Sequence, residues 1–133
     1  MSQVLWPCPY KKMYGPVEPG PKFYSGRSHV CWTGDPSLVT ALVAGVRQRL
    51  DAVPGARLIS VSAQDGAPAV CEPDLAVARG AGMGAYAEAN PMGRYSPPML
   101  RILAQVAREI AVSHPGVNIE TLAYDGYAAR PCP

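Results

Sequence analysis

The sequence predicts an α/β fold: a β-α-β-α-β unit of parallel strands, preceded by an irregular Pro-rich arm. The first observation behind this is a repeat. The order helix, Pro-Gly, strand, Asp-Gly occurs twice, ending at Asp65-Gly66 and again at Asp125-Gly126. Parallel strands need helical crossovers of this kind, and the crossovers take one hand. The second observation is composition: 133 residues, 48% apolar and 17% charged, suit one modest core rather than a disordered tail or a charged coiled coil.

Residues 1–28 carry Pro7, Pro9, Pro16, Pro19 and Pro21 with Gly15, Gly20 and Gly26 between them. Proline removes a ladder donor and biases its predecessor away from helix, so an extended arm is expected there. The domain proper is expected over 29–133, opening with the β-prone run His29-Val30-Cys31-Trp32. Asp35-Pro36 offers an N-cap carboxylate and a proline at the first helical position. Val39, Leu42, Val43, Val46, Leu50 and Val53 then recur at helical spacing, which predicts a helix over about 36–52 stopped by Pro54-Gly55. Arg57-Leu58-Ile59-Ser60-Val61-Ser62 reads as a buried strand.

A long connection runs from Gln64 to about Tyr95, rich in Gly and Ala, in which 73–79 can form a short helix. Connections of that length in a compact domain are usually functional or loosely ordered. Ser96-Pro97 starts a second helix with the stripe Met99, Leu103, Val106, Ala107 and Ile110, stopped at Pro115-Gly116. The last strand is expected over 117–124. In parallel α/β folds ligands bind at the carboxyl ends of strands, which is the side of the long connection.

Composition and local signals exclude several functions. A formal charge of +2 is too small and scattered for a nucleic-acid footprint. No apolar run approaches a membrane span, and Met1-Ser2-Gln3-Val4-Leu5-Trp6-Pro7 lacks the features of a signal peptide, so a cytoplasmic protein is expected. Gly80-Ala81-Gly82-Met83-Gly84 neither follows a strand directly nor leads to a Gly-Lys-Ser/Thr, so it is no phosphate cradle and no cofactor is expected. His114 lies in a helix-stop turn, where a cation complements the dipole. Cys8, Cys31, Cys71 and Cys132 allow three pairings; Cys8 with Cys132 is suggested by their matching Pro-Cys-Pro settings. Without an export signal, free thiols are the expectation.

Three blocks in order carry a family resemblance. They are Cys31-Trp32-Thr33-Gly34-Asp35-Pro36, then Ile59-Ser60-Val61-Ser62-Ala63-Gln64-Asp65, then Thr121-Leu122-Ala123-Tyr124. Together they resemble domain-of-unknown-function family 4838, over about residues 29–131. The resemblance implies an alpha-glucuronidase-like, bacterial, carbohydrate-degrading protein with a TIM-barrel glycoside-hydrolase architecture, whose members are often exported. A complete barrel takes roughly 250 residues, so the chain corresponds to a partial copy. It departs from the family pattern in keeping only Cys71 of a usual cysteine cluster, too few ligands for a structural zinc, and in placing Ala104 where an asparagine is usual.

Glycoside hydrolysis needs two carboxyl groups about 5 to 9.5 Å apart. Asp65 and Asp125 follow the ends of two strands that would be neighbours about 4.8 Å apart, so they are the candidate catalytic pair. Asp-Gly is also an ordinary turn dipeptide, which explains both without a ligand. Glu72 and Glu88 are alternative acids on the long connection, and Glu120, read as early in its strand, is architectural. Sugars stack their C–H faces on aromatic rings, which nominates Trp32, Tyr124 and Tyr127, with Gln64 and Glu72 as polar contacts; packing against the first helix is the other reading of Trp32. The expected ligand is a uronic-acid-containing or related glycoside, and no metal is expected. The competing expectation is a non-catalytic fragment that binds sugar or assembles with itself or with further barrel units through open sheet edges.

Overall fold

The structure, a computed structural model, describes residues 12, 13, 17, 19, 21–25, 29–62, 74 and 96–121. In chain order these give β1 (Lys12–Met13), a 3-10 turn (Pro21–Phe23), β2 (Tyr24–Ser25), β3 (His29–Val30), α1 (Leu38–Ala52), β4 (Leu58–Ser60), α2 (Ser96–Ser113) and β5 (Asn118–Glu120). β1, β4 and β5 form one sheet in that order, all parallel. The predicted β-α-β-α-β winding is therefore present.

Its first strand is not the predicted one. Lys12 and Met13, inside the stretch expected to be irregular, pair with Leu58 and Ile59. The run at 29–32 supplies only His29–Val30, which pairs antiparallel with Tyr24–Ser25 in a separate ribbon. Local β propensity marked the right residues as extended, but strand partnership depends on what lies beside them. The prolines leave room for this, because an edge strand tolerates them.

Both helices follow from their stripes. α1 buries Leu38, Leu42, Val43, Val46 and Leu50. On α2, Met99, Leu103, Val106 and Ile110 are buried and meet the α1 stripe, Ile59 and Val61 in one core. The arm joins that core through Val17 and Phe23, and a Cβ on Gly45 would come within 2.6 Å of Val17 Cγ1, so α1 accepts the arm closely only because residue 45 is glycine. Ala107 departs from the expected stripe: it is exposed, flanking the row of Leu103, Val106 and Ile110.

The start of α1 also differs from the sequence reading. Ser37 is the N-cap and makes no side-chain capping bond. The Asp35 carboxylate instead accepts from the Ser37 amide at 2.8 Å and the Ser37 hydroxyl at 2.6 Å, and Leu38 N–H donates to the Asp35 carbonyl at 3.1 Å. This Asx-type turn places Pro36 before the helix rather than at its first position. The Ser37 hydroxyl first, then its amide and nearby Lys22, hold the Asp35 carboxyl below its ordinary value. A depressed folded-state value stabilises the turn while Asp35 is ionised and ceases to do so as pH falls through it.

Gly55 and Gly116, the glycines of the two Pro-Gly stops, both have φ of +83°. Each turn reverses the chain from helix to strand, and the left-handed conformation favours glycine there. The carboxyl ends of the helices are tied together across the layer. Arg47 Nε donates to Ser113 Oγ at 3.0 Å, while the His114 ring lies 2.9 Å from Ser113 Oγ on one nitrogen and 2.9 Å from Asp51 Oδ1 on the other. His114 thus bridges two helices rather than only facing one dipole.

Ile110→Ala should lower the unfolding free energy by about 2–5 kcal/mol, whereas Val112→Ala, 85% exposed, should stay within about 0.5 kcal/mol. Gly55→Ala should cost about 1–2 kcal/mol, for backbone reasons alone, since nothing lies within 4 Å of the added Cβ. Urea denaturation of the three variants checks the set; equal midpoints for Ile110→Ala and Val112→Ala would contradict the core assignment.

Candidate functional site

Side chains alternate between the faces of a sheet, and paired residues of parallel strands share a face. Ile59 and Val61 are buried against the helices, and Thr121 Oγ1 reaches Met99 Sδ on α2 at 3.8 Å. Odd-numbered positions of these two strands therefore face the helices. Ser60, Ser62 and Glu120 belong to the opposite face, and Ser60 pairs directly with Glu120. The Ser60 and Ser62 hydroxyls are 2.9 Å apart, as expected for alternate residues on one side. Ser60, Ser62 and Glu120 are all half-buried. The Val61 amide donates to the Glu120 carbonyl at 2.8 Å, which extends the β4–β5 ladder to the carboxyl end.

Glu120 is therefore the last residue of its strand, level with Ser60, and not early in it as the sequence suggested. The described strand is three residues long, Asn118–Glu120, whereas the sequence run extended through Tyr124. No local signal finds Glu120: it stands four residues after Gly116, whereas its partner Ser60 stands five after Gly55, so the two Pro-Gly stops misalign the pair by one residue.

A second polar feature stands just before α1, on the same carboxyl side. Asp74 is 0% exposed. Its carboxylate accepts from the Trp32 amide at 3.0 Å, the Thr33 amide at 2.8 Å and the Thr33 hydroxyl at 2.6 Å. A buried carboxylate held by several donors is an anchor: it fixes the long connection between β4 and α2 to the turn that enters α1. The sequence reading overlooked Asp74, since one acid among the residues of a long connection carries no local mark. Cys31 Sγ lies 4.0 Å from Asp74 Oδ1 and is disulfide-bonded, against the free thiols expected. Its partner is one of Cys8, Cys71 and Cys132, all outside the described residues.

Of the residues nominated from sequence, Trp32 alone is described. Its side chain is 2% exposed and belongs to the core, so packing accounts for its position, and its amide serves the site by binding Asp74. Gln64, Asp65, Glu72, Tyr124, Asp125 and Tyr127 lie outside the described residues, as do Glu88 and most of the long connection. Among the described residues no group of three or more His, Cys, Asp or Glu could hold a metal ion. No described helix is long and apolar enough to cross a membrane. Beside β5 an apolar groove of about 250 Å³ is lined by Leu100, Leu103, Ala104, Ala107, Ile119, Glu120 and Thr121.

Asp74→Asn should lower the unfolding free energy by about 2 kcal/mol, because an amide presents N–H where the turn also presents N–H. Exchange of the Trp32 and Thr33 amides should accelerate in the same variant, which hydrogen-exchange mass spectrometry reads. Unchanged protection at 32 and 33 would remove Asp74 as the anchor. Cys31 should resist alkylation until a reductant is added.

No curated protein and no solved structure matches the chain. A family model described as a domain of unknown function, DUF4838, matches residues 7–133. The match begins ahead of β1, so the family unit takes in the strand at Lys12–Met13 as well as the three blocks that carried the resemblance. With nearly its whole length covered, the chain belongs to the DUF4838 family of domains of unknown function.

Proposed function

We propose that the chain is part of a carbohydrate-active, glycoside-hydrolase-like α/β domain, alpha-glucuronidase-related, that acts on or binds a glycoside at the carboxyl ends of its strands. The single observation that carries this reading is the β4–β5 register. Ser60 pairs with Glu120, and Asp65 and Asp125 each stand five residues beyond those partners. Equal offsets from a registered pair on parallel neighbours favour exit from the sheet at one level. Strands about 4.8 Å apart then suit two carboxyl groups within the roughly 5 to 9.5 Å that glycosidases use. In this reading one aspartate protonates the leaving oxygen and the other serves as base or nucleophile. Gln64, Glu72, Tyr124 and Tyr127 would contact the sugar, and no cofactor takes part. The Asp74 anchor supports the reading by fixing the long connection near this rim, where a precise site needs a rigid mount. The Cys31 disulfide suits maturation in an oxidising compartment.

Asp65→Asn and Asp125→Asn should each lower hydrolysis of an aryl glycoside by about a thousandfold or more while leaving the melting temperature near that of the parent. Turnover at the parent rate by either variant would remove that aspartate from the mechanism.

The apolar groove beside β5 favours a second reading, a fragment that assembles with another copy or with further barrel units. Among the described residues β5 pairs only with β4, and Leu100 is 40% exposed on the α2 face next to that edge. Open edges invite pairing. Light scattering should then report a concentration-dependent oligomer that Leu100→Lys dissociates; a monomer at every concentration would contradict assembly.

A further inference from the structure

Cys31 is disulfide-bonded, and its sulfur stands beside the Asp74 anchor, with Sγ 4.0 Å from Oδ1. The same carboxylate holds the amides of Trp32 and Thr33, the two residues that follow Cys31. Residue 74 is thereby fixed against residues 31–33 by contacts other than the disulfide. A disulfide needs Cα atoms about 4.4–6.8 Å apart, so the partner sulfur must be brought to this turn. Three cysteines compete, and each hangs on a different length of chain from the nearest described point. Cys71 stands three residues before Asp74, a span of at most about 11 Å from a residue already packed beside Cys31. Cys132 follows Glu120 by twelve residues. Cys8 precedes Lys12 by four, and Lys12 pairs with Leu58 at the amino end of the sheet, away from Asp74. A short tether from a point already in place gives the highest effective concentration, which favours Cys71.

We propose that Cys31 and Cys71 form a disulfide that works with Asp74 as a redox-dependent double clamp, fixing the run 71–74 to the turn before α1. To close the bridge, the two thiols give up two protons and two electrons to an oxidant of the disulfide class. The transfer passes through a mixed disulfide, and the oxidant leaves as a pair of thiols. A dithiol reductant runs the same steps backwards. Reduced, the run from 71 to 74 loses its covalent tie and keeps the hydrogen bonds of Asp74. The bridge and those hydrogen bonds restrain the same few residues, so each tie raises the effective concentration of the other. Glu72 stands between them, and in the glycoside reading the state of the bridge sets how firmly that residue is held. The pairing itself does not rest on that reading.

The test uses the full chain. Trypsin cuts after Lys and Arg and leaves each cysteine in its own peptide: 1–11, 28–47, 58–79 and 109–133. In an unreduced, alkylated digest, mass spectrometry should find 28–47 joined to 58–79, and dithiothreitol should release both. A bridge from 28–47 to 1–11 or to 109–133, or an unbridged 28–47, would overturn the pairing. The clamp is read by hydrogen exchange. Cys71→Ser, and reduction of the parent, should each speed exchange of the Trp32 and Thr33 amides by about tenfold or more. Asp74→Asn should speed the same amides by a larger factor in the reduced chain than in the oxidised one, because ties on one segment are coupled. Parent-like exchange after reduction, or an equal effect of Asp74→Asn in both states, would overturn the clamp. Should Cys71→Ser unfold the chain, the peptide map and the parent's own response to dithiothreitol decide.

Discussion

The parallel register between Leu58–Ser60 and Asn118–Glu120 is the constraint on which the rest depends. A shift by one residue would exchange the two faces of the pair, sending serines toward the helices and isoleucines away from them. Both ends of the ladder are fixed. Asn118 N–H donates to the Arg57 carbonyl at 2.9 Å where the strands begin, and Val61 N–H donates to Glu120 where they end. The core adds its own restraint, since Ile59 is fully buried only in the register that turns it toward α1 and α2.

The helices translate this register into a layer. Their buried stripes meet each other and the odd-numbered strand residues, and the two left-handed glycines make the helix-to-strand returns short. Short returns at one end leave the long connection for the other end, where it enters α2 from the carboxyl side. Asp74 shows how such a length of chain is held: a carboxylate with no exposure, satisfied by amides and a hydroxyl of the turn before α1. Polar anchoring of this kind is specific in direction, which apolar contact is not.

The polar groups and the apolar groove lie around one strand, β5. Its helix-facing side adjoins the groove under α2, and its other side carries Glu120 beside Ser60.

By itself the sequence determined the two helices, their buried stripes and both Pro-Gly stops, because these depend on residues within one or two turns of each other. Parallel winding was legible from the repeat of those elements. Only the tertiary structure decided that Lys12–Met13, and not the run at 29–32, supplies the first strand, since a two-residue strand has no periodicity to read. The same holds for Asp74 and Glu120. The first owes its role to a turn 41 and 42 positions earlier in the chain, the second to a partner on another strand. Long-range partnership is a property of the packed layers, and no local pattern encodes it.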